Sequence, residues 1–332
     1  MHASRVFTLI ATAALTLNTA SAWASETVLH VHPGGDDRWS GRLETPNAEG
    51  TDGPLASLTG ARDAVRRLKA AGQAGPFRIR IAPGEYALRE PLVLEPQDGG
   101  TADAPVIYEA AGPEKPRFSG GRRITGWTRQ ADGLWTAPIP EVADGTWYFE
   151  QLWVNGKRAV RARSPNKFYY YVQRKMDHYL DSSSGQAVET VNRAFQARPE
   201  DIAPLCDLSG RALSDVTLVT YHSWEASRSR VASIDRSQSI VAVTAPIPWG
   251  FAYWGPNCRY HLENFRAALD EPGEWFLDRQ GTLYYYPRPG EDLASAEVTA
   301  PAVSEFVIAA GKPDEGQWVE HVTLRGLSFE YG

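Results

Sequence analysis

The sequence predicts an all-β protein: a right-handed parallel β-helix interrupted by an antiparallel β-sandwich. Three observations carry this. Short apolar runs recur 11–14 residues apart between Phe77 and Phe118, separated by Pro, Gly and Asp turns that leave no room for crossover helices. One amphipathic helix stands just before those runs, where it would cover the open end of a stacked-repeat core. From about Trp127 the texture changes to longer alternating strands, and after residue 293 the short runs return. The implied organisation is a leader at 1–24, a cap and first coils at 25–126, an inserted β-sandwich at 127–293, and resumed coils at 294–332.

The leader shows Arg5 before an apolar run from Val6 to Leu17, then Ala22-Trp23-Ala24 as a small-residue cleavage pattern. That run is 12 residues long, short of the ~18–20 a spanning helix needs. The expectation is a secreted or periplasmic protein. Without the leader's one arginine, the net charge of −6 becomes −7. This balance argues against nucleic-acid and anionic-membrane partners, which reward clustered Lys and Arg.

In the cap, Leu58, Ala61, Ala64, Val65 and Leu68 recur at helical spacing, with Ser57 placed to cap the start and Gly72 to stop the end. Strands are expected around Ile79/Ile81, Leu92–Leu94, Val106–Tyr108 and Phe118. These runs admit an antiparallel sandwich of hairpins as an alternative. The absence of two-residue Asn-Gly or Asp-Gly loops favours parallel coils. Asn155-Gly156, inside the insertion, is a true hairpin signal. VTLVTYHSWEASRSRV reads as alternating strand, which would place His222 and Trp224 on one face and Glu225 on the other. EVTAP, EFVIAAG and VTLRGLSFEYG read as the resumed coils. Only two to three coils are present in all, whereas stacked repeats need about three units and two caps. The chain is therefore read as truncated at Gly332.

Two blocks carry a family resemblance. VHPGGDDRWSG, GPLASLTGARDAVRRLK and PLVLEPQDGGTADAPVIYEA resemble the N-terminal end of secreted β-helix proteins of the pectate-lyase-like superfamily. QLWVNGKRAVRARSPN, RYHLENFRAALDEPGEWFLDRQG and TLYYYPRPGED resemble, with greater specificity, the insertion domain of glycoside hydrolase family 141. The resemblance implies a glycoside hydrolase acting on plant-type polysaccharide or oligosaccharide, fucosidase- or xylanase-like, with two catalytic carboxylates and no cofactor. No position here matches the family's catalytic acids, so no catalytic residue is assigned. A polysaccharide lyase on the same fold, or a non-catalytic carbohydrate-binding surface protein, are the rival readings.

Glycosidase chemistry needs two facing carboxylates. The local candidates are Glu225 and Glu263, each set among aromatics. The competing role is an ion pair with Arg228 or Arg230, and with Arg259 or Arg266, which is the weightier reading. His222, Trp224, Trp249, Tyr253, Trp254 and Tyr260 are the candidate substrate-binding residues, because aromatic rings stack on the apolar faces of sugars; ordinary packing is the alternative. Cys206 and Cys258 form a candidate disulfide in an exported chain, the alternative being two separate thiols. His30 and His32 lack a third metal ligand, Asp36 and Asp37 fit a turn better than a calcium loop, and Ser182–Gly185 reads as a loop.

Overall fold

The computed structural model describes residues 26–253, 255–292 and 294–332, so the leader reading falls outside the described residues. The chain is mostly strand with few helices, and it divides into two compact units.

The first unit takes the chain up to Tyr86, then Leu92–Arg117 and Val307–Ser328. Its main sheet orders the strands Thr27–Val31, Phe77–Ile81, Val106–Ala110 and Val322–Arg325, every pair parallel. The register stacks Leu29 on Ile79 on Tyr108, all buried, in one apolar column. The opposite face stacks charge: Arg78 pairs with Glu26 and Glu109 at 2.8 Å, and Arg325 also reaches Glu109. A second parallel pair joins Leu92–Leu94 to Val307–Ala309. Strands that repeat β-branched and apolar residues on alternate positions bury one face in this way.

The helix forms where expected, Leu58–Ala70, and buries Leu58, Ala61, Ala64 and Val65. Ser57 Oγ accepts the Gly60 N–H at 2.9 Å, while Asp37 accepts the Ala56 and Ser57 N–H groups and the Ser57 hydroxyl. Asp37 is thus a brace for the helix start. A Cβ at residue 60 would lie 2.0 Å from Asp37 Oδ1, so this close approach requires glycine. Arg66 fixes the same helix to the Pro96–Asp98 turn through buried Asp98 at 2.6 Å. His32 Nδ1 accepts the Gly34 N–H at 3.0 Å and closes the turn after the first strand.

The second unit holds Ala87–Pro91, Phe118–Phe306 and Phe329–Gly332. Its largest sheet has eight strands. The path runs Arg163–Ser164, Arg259–Glu263, Thr217–Tyr221, Ala226–Asp235, Ile240–Val243, Ala194–Gln196, Arg174–Lys175, with Tyr170–Tyr171 beside Arg259–Glu263. All these pairings are antiparallel. A five-stranded sheet orders Val160–Arg161, Glu274–Leu277, Thr282–Tyr285, Trp135–Pro138 and Thr128–Arg129, and only its first pair is parallel. Asn155 and Gly156, with φ of 50° and 70°, close the expected hairpin between Trp153–Val154 and Lys157–Arg158.

Three expectations need correction here. The longer alternating strands expected around the Asn155-Gly156 hairpin in QLWVNGKRAVRARSPN do not form. The segment breaks into four two-residue strands: Trp153–Val154 and Lys157–Arg158 pair with each other, Val160–Arg161 turns to Glu274–Leu277, and Arg163–Ser164 turns to Arg259–Glu263. EVTAP does not rejoin the parallel sheet: Val298–Pro301 pairs antiparallel with Gly121–Ile124, and parallel pairing resumes only at Val307. The inserted region also carries short helices at Pro140–Ala143, Pro199–Ile202 and Gly210–Ser214, two of them opened by proline at the first position.

Candidate functional site

Thr217–Tyr221 and Ala226–Asp235 pair as a hairpin whose tip is His222-Ser223-Trp224-Glu225. The His222 N–H donates to the Glu225 carbonyl at 2.8 Å, so these residues form a turn and not a strand. The alternation expected for them fails because four residues are consumed in reversing the chain. The consequence is a Trp224 that is 67% exposed at the hairpin tip. The Pro/Gly-rich loop approaches from the other side: Trp249 meets Trp224 edge-on at 5.7 Å, and Tyr253, 64% exposed, meets Trp249 at 6.1 Å.

Beneath this aromatic wall lies an open cleft of about 220 Å³, lined among others by Tyr221, His222, Tyr253, Asn257 and Arg259. The Arg259 guanidinium lies over the rings of Tyr169 and Tyr221 at 5.1 and 5.8 Å, and those rings touch edge-on at 4.8 Å. His222 Nε2 is 2.8 Å from Ser227 Oγ. Burial pushes this imidazole below its ordinary pKa against the opposing charge of Glu225, which keeps it neutral at pH 7. A cleft of this size falls below the roughly 300–1,000 Å³ of an enclosing small-molecule site. It is a shallow platform, suited to a flat apolar face laid on aromatic rings and edged by hydrogen-bonding groups.

From the cleft floor a polar chain runs inward. Tyr221 OH is 3.2 Å from His261 Nδ1, and His261 Nε2 is 2.7 Å from Glu263 Oε1. Arg228 donates to Glu263 Oε2 at 2.7 Å. Burial alone would raise the Glu263 pKa, but the His261 hydrogen bond and the Arg228 charge outweigh it and hold the carboxyl below its ordinary range. Glu263 is therefore ionised and engaged, the opposite of a general acid. The ion-pair reading of Glu263 holds in kind, with Arg228 as partner in place of Arg259 or Arg266. Arg259 stacks on tyrosines instead, and Arg266 stands 3.7 Å from Asp132. Glu225 is exposed at the hairpin tip. Arg230 goes to Glu150.

The structure brings together His222, Trp224, Trp249 and Tyr253 of the six candidate residues. Tyr260 does not join them. It is fully buried, packed on Phe195 at 4.9 Å and Tyr170 at 5.5 Å, with its hydroxyl on Asp201 at 3.3 Å. Arg259–Glu263 is the second strand of the large sheet, covered on both faces, so alternation could not send Tyr260 outward. Trp254 lies outside the described residues. The disulfide expectation is also corrected, as Cys206 and Cys258 are both free thiols. Cys206 sits on a helical turn with Sγ 3.5 Å from the Ile202 carbonyl, while Cys258 is buried in the apolar core, where burial raises its pKa. Sequence reasoning left Tyr169, Tyr221 and Arg259 unassigned as a stacked group; the only signal was the alternation that pairs Tyr221 with Arg259 across two strands.

Residues 132–288 match the GH141 insertion domain. The match covers under half of the chain and contains the hairpin tip, the aromatic loop and the inward polar chain. The chain is also similar to a solved structure described as a glycoside hydrolase, with a TM-score of 0.73 and 28% identity over 92% of this chain and 50% of that one. The chain thus spans about half the length of that structure. A second solved structure, a complex of XylC with xylose, gives a TM-score of 0.39 at 12% identity, covering 92% of this chain and 35% of that one, and carries no argument. No curated protein matches the chain.

Proposed function

We propose that this chain is part of a secreted glycoside hydrolase acting on plant-type polysaccharide or oligosaccharide, fucosidase- or xylanase-like. In this reading the first unit begins a right-handed parallel β-helix, and the region matching the GH141 insertion domain contacts the glycan. The single observation that carries it is the aromatic wall on that region, where exposed Trp224 and Tyr253 flank a half-buried Trp249. Exposed aromatic surface is costly to keep in water unless a ligand covers it, and pyranose rings present matching apolar faces. The cleft-side carboxylates are not proposed as the acid and nucleophile, because Glu263 is tied to Arg228 and His261 and Glu225 is exposed. In this reading the hydrolytic pair is not among the cleft residues, in keeping with a chain that spans about half the length of the solved glycoside hydrolase it resembles.

The test pairs retention with turnover. Trp224→Ala and Tyr253→Ala should each reduce retention of the protein on a xylan- or fucan-containing gel by about 5- to 30-fold, since stacking on one ring is worth roughly 1–2 kcal/mol. Reducing-end release by the complete secreted protein tests hydrolysis. Unsaturated product absorbing in the ultraviolet would identify a lyase, and retention without turnover would identify a binding protein. Retention unchanged in both variants would remove the aromatic wall from the proposal.

A further inference from the structure

Away from the aromatic cleft, the second unit holds a larger cavity of about 510 Å³, within the roughly 300–1,000 Å³ of small-molecule sites. Its lining includes Trp275, Arg158, Arg161, Arg228, Glu150 and Glu263. Arg161 is only 6% exposed and Trp275 is fully buried, yet both keep hydrogen-bond donors unused. The Arg161 Nε–H and the Trp275 Nε1–H have no acceptor among the described residues. Arg161 Nη1 is 3.3 Å from Glu150 Oε1, an ion-pair distance without hydrogen-bond geometry, and only Nη2 is satisfied, donating to Tyr148 OH at 3.1 Å. The guanidinium lies 5.6 Å from the centre of the Trp275 ring.

An unmatched buried donor costs about 1–3 kcal/mol, and more when charged. Two such donors on residues that line one cavity point to an acceptor that the protein itself does not supply. The charge balance agrees: Arg158, Arg161, Arg228 and Arg230 stand against Glu150 and Glu263, an excess of positive charge. Both glutamates are already committed, Glu150 to Arg161 and Arg230 and Glu263 to Arg228 and His261.

We propose that this cavity is a subsite for the carboxylate of an acidic sugar residue, held by the Arg161 fork and the Trp275 indole N–H, with Arg158 and Arg228 at its mouth. A carboxylate offers two coplanar acceptors that match a guanidinium edge, which a neutral hydroxymethyl group does not. The proposal rests on the carbohydrate reading above and narrows it to glycans carrying uronic acids.

The experiment titrates the full chain with trigalacturonate, with its carboxyl-reduced neutral counterpart, and with acetate or sulfate alone, by calorimetry and by the indole N–H resonances. The expected result is binding of the acidic trisaccharide at least about tenfold tighter than the neutral one, with a shift of the resonance that Trp275→Phe removes. Arg158→Gln, at an exposed position, should weaken the acidic ligand several-fold and leave the neutral one unchanged; Arg161→Gln should abolish the preference. If Arg161→Gln fails to fold, Arg158→Gln and the resonance decide. Equal binding of the two trisaccharides overturns the subsite while leaving the carbohydrate reading intact. Acetate or sulfate binding as tightly as the trisaccharide also overturns it, the cavity then holding an adventitious ion only. No saccharide binding of any kind, together with no gel retention, overturns both.

Discussion

Replacing Glu274 with glutamine should raise stability relative to the wild type progressively as pH rises. This residue opens the strand Glu274–Leu277, just after the Pro272-Gly273 turn, and is almost fully buried. Its Oε2 accepts the Asp270 and Glu271 N–H groups at 3.1 Å each, and its Oε1 accepts the Arg163 N–H at 3.3 Å, so it pins the loop before its own strand to a neighbouring one. Burial disfavours the ionised form more than these three donors favour it, and the pKa rises from 4.5 to about 7. Between those values the folded protein holds a proton that the unfolded chain has released. Stability from this group is therefore full below 4.5 and is lost as pH rises through 7. At 1.36 kcal/mol per unit, the wild type loses about 2–3 kcal/mol from this group between pH 5 and pH 8. Glutamine stays neutral throughout, so the variant's advantage should widen by that amount, a gap in Tm growing by roughly 4–12 °C. The comparison with the variant is needed because His30 and His222, lowered by burial, act in the opposite direction over part of the same range. Thermal unfolding followed by circular dichroism at both pH values is the assay. Because the glutamine amide nitrogen cannot accept one of these N–H groups, the absolute stabilities differ at every pH, and a gap that does not widen refutes the argument.

Three other outcomes follow from the packing. Gly60→Ala should cost about 1–3 kcal/mol by driving its methyl into Asp37, and the cost should shrink in the Asp37→Ala background, measured as a double-mutant cycle on Tm. Tyr260→Phe should lose about 1 kcal/mol with its Asp201 hydrogen bond and leave glycan retention untouched, whereas any loss of retention would return Tyr260 to the binding surface. Reductant should not change Tm, and a thiol reagent should label Cys206 before the buried Cys258; a reductant-sensitive Tm would restore the disulfide.

Much of the fold was legible because the signals were local. The cap helix announced itself through Ser57, the spacing of Leu58 to Leu68, and Gly72. Asn155-Gly156 specified its own turn, and the runs at Ile79, Leu92 and Val106 each became a strand. What stayed hidden depended on partners distant in the chain. Nothing near Val298 says that it pairs with Ile124 and not with a parallel neighbour. Tyr260 looks like its aromatic neighbours in sequence, and only the flanking strands decide that it is enclosed. Arg161 reads as one basic residue among several; its significance comes from Trp275 and Glu150, which the fold places beside it. The two-residue strands after Trp153 are too short for any periodicity to register.

The parallel sheet of the first unit has a consequence for the order of assembly. Its fourth strand, Val322–Arg325, binds a partner more than 200 residues earlier, at Val106–Ala110. Closing so long a loop in a flexible chain is entropically unfavourable and slow. Several pairs in the sheets between them are hairpins that can close locally. Their early collapse would draw the two ends of the intervening segment together and shorten the effective loop. A destabilising mutation in the core of that intervening segment should then delay pairing of Val322–Arg325 with Val106–Ala110, contacts that lie entirely outside it.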